Sequence, residues 1–440
     1  MSPSSSAAMP ARADGLKALV EALSDGTLTA RAYCDSALER VRATEAVIKA
    51  WVVLDEDRAR GIAATRDVRD AHGPLHGIPV GVKDLFDTDD LPTEMGSPAF
   101  VGNQPGKNAH VVERILSAGG YVLGKTVTTE FAFMHPAGTR NPWNPKHTPG
   151  GSSSGSAAAV AAGHVPVAIG TQTNGSVIRP AAYCGVVGFK PTLDTLPIQG
   201  ALPFAQTLDH VGLFARSVAD AAYFTACLAD PGTFAAEVGA LSRPPKVAVL
   251  PRFPWNAAER DAADHLQATL RRLAAAGTEV KALDLPEEFE DAKRVHRTIM
   301  YYEGAREHAP TQAEHRRVMS TELNAAIDEG LAMSHDEYRA ALARRAALAE
   351  LALDLFADCD AVASLPAPGA APARLDMTGD PSFCTLWTLL GFPAITLPTG
   401  LSDAGLPYGI QLAGPAHEDG RLLRVARWCE AAIGFDRSPR

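Results

Sequence analysis

Residues 150–191 read GGSSSGSAAAVAAGHVPVAIGTQTNGSVIRPAAYCGVVGFKP, and this stretch restricts the possible folds more than any other part of the chain. Taken alone, the glycines and serines of 150–156 describe a flexible linker. The uncharged run Ala157 to Ala162 follows without a break, so the pattern predicts a turn feeding a short buried helix. After Gly163, Val165 to Ile169 read as a strand, and Thr171 to Ser176 as a polar, glycine-containing turn back into apolar sequence. Two serine-bearing turns then flank one helix and one strand. Such turns can aim hydroxyls and backbone N–H groups at a common point, as acyl transfer requires.

A serine hydroxyl is a poor nucleophile until a base takes its proton. Upstream, GIPVGVKD (77–84) ends an apolar run in Lys83. A lysine serves as that base only if its pKa falls from about 10.4 toward neutrality, which burial would achieve. Asp84, its neighbour, would oppose the shift if it faced the same way. Together these residues point to a serine hydrolase without a catalytic histidine.

The KD pair, the GGSS turn and the later TNGS turn, in that order and spacing, resemble the amidase signature family. The resemblance extends over 15–55, 118–133, 141–145, 204–221 and 389–414. It implies a Ser176 nucleophile, a bridging Ser152 placed 24 residues earlier and a Lys83 base. It also implies a cis peptide between Gly151 and Ser152, and an oxyanion held by backbone N–H groups of Thr173, Asn174, Gly175 and Ser176. The fold implied is α/β: one α/β/α domain over 15–440, with a mixed, mostly parallel central sheet covered by helices. Its core motifs would occupy 76–220 and 359–432, a variable substrate-shaping region 230–375, and a disordered tail 1–14. The implied activity is hydrolysis of a small amide or carbamate (urethane), or an ester, through an acyl-enzyme without a cofactor. The family also includes amidotransferase subunits that work in larger complexes.

Several residues bear on specificity. Phe131, Phe133 and Met134, with Trp387 and Leu390 from the C-terminal side, approach the acyl pocket by resemblance; packing in the core is the other reading of each. An apolar lining would favour aryl or alkyl acyl groups. Where the family most often has Asp-Thr-Gly-Gly-Ser, this chain has Gln172, Thr173, Asn174, Gly175 and Ser176. Asparagine tolerates positive φ, so the turn can survive, whereas glutamine at 172 loses an ion-pair partner. Arg179 sits three residues after the nucleophile rather than the commoner two, and either holds backbone carbonyls, the reading favoured, or faces an anionic substrate.

Other functions find less support. GGYVLGKT (119–126) satisfies the phosphate-loop pattern, but a helix over 110–120 precedes it and YVLGKT reads as a strand, reversing the required order. A net charge of −10 argues against direct nucleic-acid binding. The six cysteines, at 34, 184, 227, 359, 384 and 429, are scattered singly, which suits reduced thiols and a cytoplasmic setting rather than disulfides or zinc. No metal motif, signal core or membrane-length apolar stretch occurs, and His135 and His147 read as surface residues or supports of the site. Helices are predicted over 15–23, 31–41, 260–277 and within 288–357, including 343–356; strands over 246–251 and 279–285, and one starting at 359.

Overall fold

Leu16, Leu19 and Leu23 form the buried stripe of α1 (Gly15–Ser24), and Thr29 caps α2 (Ala30–Ile48) by accepting the Ala32 N–H. The computed structural model describes residues 15–68, 73–230, 232–234 and 238–439; the tail expected over 1–14 lies outside them. β1 (Trp51–Val53) and α3 (Glu56–Asp67) lead to β2 (Pro79–Lys83), whose five residues are all buried. α4 (His110–Ser117) then precedes β3 (Tyr121–Thr126), so the GGYVLGKT segment has the helix-then-strand order read from its sequence.

The serine-rich run folds into α5 (Ser154–Ala161), β4 (Val167–Gln172) and α6 (Ile178–Cys184). α5 starts three residues before the alanine run because only small residues fit there. A Cβ on Gly155 would come within 2.3 Å of both Ala50 O and Val127 N. β4 runs on to Gln172 because it stays paired with its antiparallel neighbour as far as His210, which shortens the expected turn. β5 (Val187–Lys190), β6 (His210–Ala215) and α7 (Val218–Leu228) complete this half.

The second half opens with β7 (Lys246–Val249), α8 (Arg260–Ala275) and β8 (Glu279–Ala282). Three helices follow, α9 (Ala292–His315), α10 (Thr321–Ala332) and α11 (His335–Leu351). The helix predicted to reach 356 ends at Leu351 and tightens into a 3-10 turn over Ala352–Phe356. β9 (Ala361–Ser364), α12 (Thr385–Leu389), β10 (Ala394–Leu401), β11 (Pro407–Ala413) and α13 (Asp419–Ile433) close the chain.

Among the described residues the strands form one mixed sheet in the order β1-β3-β2-β4-β6-β5-β10-β11-β9-β7-β8, flanked by helices. Parallel pairing is concentrated in two blocks, β3-β2-β4 and β9-β7-β8. The middle, from β4 through β6, β5, β10 and β11 to β9, is antiparallel, as is the β1 edge. β10 and β11 must pair that way because residues 402–406 are too short for a crossover. A continuous hydrophobic cluster from Leu16 to Ile433 spans both halves, so they share one core. β2 and β4 are parallel neighbours, and their C-terminal ends bring Lys83 and the turn after Gln172 to the same side of the sheet.

Candidate active site

Lys83 ends a strand of Val80 and Val82 and is fully buried. Its Nζ lies 2.8 Å from Ser152 Oγ and 2.7 Å from Thr171 Oγ1. Burial holds the ammonium well below the usual lysine range, with the Asp209 charge opposing. Asp84 does not intervene: it turns away to Lys125, 3.2 Å from its Nζ. Thr171 is a partner that sequence reading missed, since a threonine in a buried strand carries no motif.

Ser152 follows a cis peptide from Gly151 and is 1% exposed. The approach is tight: a Cβ on Gly151 would meet Thr378 Cγ2 at 2.7 Å, and one on Gly150, whose φ is +81°, would meet Pro180 Cα at 2.8 Å. Ser176, 8% exposed, lines a cavity of about 540 Å³ together with Thr173, Asn174, Gly175 and Arg179. Arg179 Nη2 donates to Gly151 O at 2.7 Å and to Thr378 Oγ1 at 3.1 Å, tying α6 to the peptide before Ser152. Burial lowers the guanidinium pKa, and neither Nε nor Nη1 has a protein partner.

The two unusual turn residues are used differently from expectation. Asn174 has no positive φ. Its Oδ1 instead accepts from Thr385 Oγ1 at 2.8 Å. Gln172 replaces an ion-pair partner with a neutral cap: its Oε1 accepts the Val177 and Ile178 N–H groups at 2.8 and 3.0 Å, at the start of α6. Thr173 Oγ1 donates to Asp209, whose carboxyl is pushed up to about 6 by burial despite that bond and two from backbone N–H groups.

One wall of the cavity is apolar, with Ala132, Phe133, Met134, Phe204, Met300 and Met377. Phe133 and Phe204 stack face to face with ring centres 5.1 Å apart. Behind Phe204 lies Gly304 of α9, where a Cβ would come within 2.7 Å of the ring. Of the expected specificity residues, Phe133 and Met134 line the cavity, Met134 at 49% exposure near its mouth. Phe131, Trp387 and Leu390 are not among its lining and take the other reading, packing in the core. Phe131 has φ 48°, which turns its ring into the core against His308 at 5.0 Å, and Trp387 packs on Phe356. Leu390, 6% exposed, belongs to the hydrophobic core. Phe204, Met300 and Thr378 were missed because they arrive from remote segments. His135 lines the mouth 3.7 Å from Glu322, and His147 Nδ1 lies 2.7 Å from Ala371 O. Among the described residues no group of three or more His, Cys, Asp or Glu could hold a metal ion, and no helix is long and apolar enough to cross a membrane.

A model of the family described as Amidase matches residues 32–423. This chain belongs to the amidase family. Among its relatives is a glutamyl-tRNA(Gln) amidotransferase subunit from Anaeromyxobacter dehalogenans (strain 2CP-C), 35% identical over 91% of this chain and 92% of that protein. A solved crystal structure of an amidase superposes with TM-score 0.87 at 32% identity, covering 95% of this chain and 99% of the other. The native peptide amidase of Stenotrophomonas maltophilia superposes with TM-score 0.82 at 29% identity, covering 97% and 98%.

Proposed function

We propose that this amidase hydrolyses the C–N bond of a small amide or carbamate with an apolar or aryl acyl side, through an acyl-enzyme on Ser176. The observation that carries the reading is the buried contact between Lys83 and Ser152 beside a cavity lined by Ser176. Neutral Lys83 takes the Ser152 proton while Ser152 takes that of Ser176. The Ser176 Oγ–C bond forms, and the carbonyl electrons move to the oxygen, facing the N–H groups of the 173–176 turn. As the tetrahedral adduct collapses, the C–N bond breaks and Ser152, reprotonated from Lys83, protonates the leaving amine. Water then enters by the same proton path, releasing the acid and the Ser176 hydroxyl. Esters, including urethanes cleaved at oxygen, fit the same steps with an alcohol leaving.

The cavity volume suits a small molecule, and the Phe133–Phe204 stack with Met300 favours a flat or alkyl acyl group. The free cysteines at 34, 184, 227, 359, 384 and 429 suit a reducing, cytoplasmic setting. A second reading, an amidotransferase component that releases ammonia within a complex, rests on the 35% identity to the Anaeromyxobacter protein. A panel of aryl amides, alkyl amides, carbamates and glutamine separates the two. Turnover of aryl or alkyl substrates by the isolated chain, lost in Ser176→Ala, is expected. Hydrolysis of glutamine alone would favour the amidotransferase reading, and full activity in Ser176→Ala would overturn both.

A further inference from the structure

The turn carrying Ser176 is held from outside at three successive carbonyls. Thr173 O lies 2.8 Å from His296 Nε2 of α9, Asn174 O accepts from Thr388 Oγ1 of α12 at 2.6 Å, and Gly175 O accepts the Arg179 N–H at 3.0 Å. In a trans peptide the C=O and N–H point in opposite directions. Each bond therefore turns the next residue's N–H, that of Asn174, Gly175 or Ser176, away from the group that holds the carbonyl. Among the described residues none of these three N–H groups has a protein partner, and all three residues line the cavity. Buried N–H groups are rarely left unpaired. Three together at a cavity wall form a receptor for developing negative charge.

The hydrogens can be traced. Backbone N–H groups only donate, so the Gln172 atom accepting from Val177 and Ile178 is oxygen and the other end of that amide is NH2. This NH2 donates to Thr388 Oγ1 at 3.0 Å, and of the two carbonyls that the Thr388 hydroxyl can reach, Asn174 O at 2.6 Å and Cys384 O at 3.3 Å, the nearer takes its hydrogen. His296 is buried, which pushes its pKa down to about 4 despite the bond to Thr173 O, so the ring is neutral and its Nε2 carries the hydrogen.

We propose that Gln172, Thr388 and His296 are positioning residues for the oxyanion. The chain from Gln172 through Thr388 to Asn174 O, with the bond from His296 to Thr173 O, aims and polarises the peptides whose N–H groups meet the substrate oxygen. The proposal rests on the acyl-enzyme reading. It gives a physical reason for glutamine at 172: a carboxylate there would only accept, and would draw the Thr388 hydrogen to itself.

The test compares Gln172→Glu, Thr388→Val, Thr388→Ser, His296→Leu and Ser176→Ala, each checked for a cooperative melt. Substrate is the best amide of the panel, with its acid product and a trifluoromethyl ketone of the same acyl group as inhibitors. Gln172→Glu, Thr388→Val and His296→Leu are expected to lower kcat about 10- to 100-fold with little change in KM. Ketone binding should weaken by a similar factor while product binding holds, and Thr388→Ser should recover most of the Thr388→Val loss. Full kcat in folded Gln172→Glu and Thr388→Val, with Ser176→Ala inactive, overturns the positioning role alone. Equal weakening of ketone and product binding overturns that role as well. Should Gln172→Glu not fold, the two Thr388 variants decide. Turnover in Ser176→Ala overturns the acyl-enzyme reading instead.

Discussion

Lys83 and Lys125 lie on adjacent parallel strands, where Lys83 pairs in register with Thr126 and Val82 with Lys125, and both side chains are fully buried. Their surroundings nevertheless differ. Lys125 is answered on every side: Asp84 at 3.2 Å, the carbonyls of Phe86 and Pro92, and Thr93 Oγ1 at 2.6 Å. Burial lowers its pKa, but the Asp84 carboxylate resists. Among the described residues Lys83 meets only the hydroxyls of Ser152 and Thr171, with Asp209 acting as a more distant charge, and burial carries it well below the normal range. Burial lowers the pKa of both lysines, and the difference between them is the carboxylate that adjoins Lys125 and opposes the shift there.

The largest expected effect breaks the contrast at Lys83. Lys83→Ala should lower kcat/KM about 10²- to 10⁴-fold at every pH, with the thermal melt still cooperative. Activity near that of the parent enzyme would remove Lys83 from the chemistry. Lys125→Met should instead act on stability, costing about 3–5 kcal/mol because Asp84 stays buried without its cation. Adding Asp84→Leu should restore most of that loss in denaturant titrations. A single variant within about 1 kcal/mol of the parent would mean that the Lys125 pair is no structural anchor.

A smaller effect sharpens the comparison. On the proposed mechanism, with neutral Lys83 as the base, activity is expected to rise as pH passes upward through the Lys83 pKa. The negative charge of Asp209 holds that pKa up, so Asp209→Asn should move the rising limb of the kcat/KM profile to lower pH. A limb that stays in place, or moves upward, would show that Asp209 does not act on Lys83.

The residues carrying the proposed chemistry were legible because local order and spacing encode them: Lys83 at a strand end, Ser152 after two glycines, Ser176 in a turn. The helix-then-strand order of residues 110–126 was legible too, since amphipathic and continuous apolar runs differ in period. Side-chain direction was not. Phe131 and Phe133 are two residues apart, yet positive φ at Phe131 and Ala132 sends one ring to the core and leaves the other on the cavity. Nor could the sequence tell that Asp84 faces Lys125 rather than Lys83. The partners that hold the turn, His296 and Thr388, lie more than a hundred residues from it, and only the packing of α9 and α12 brings them there.

Gly304 has a consequence for the shape of the cavity. The Phe204 ring rests on bare helix backbone, so one methyl at position 304 would displace an aromatic side chain of the cavity wall from a position that does not itself line the cavity. The shape of the cavity is thus set in part by a residue outside its lining. Single substitutions at position 304 would therefore reshape that wall while Lys83, Ser152 and Ser176 stayed as they are.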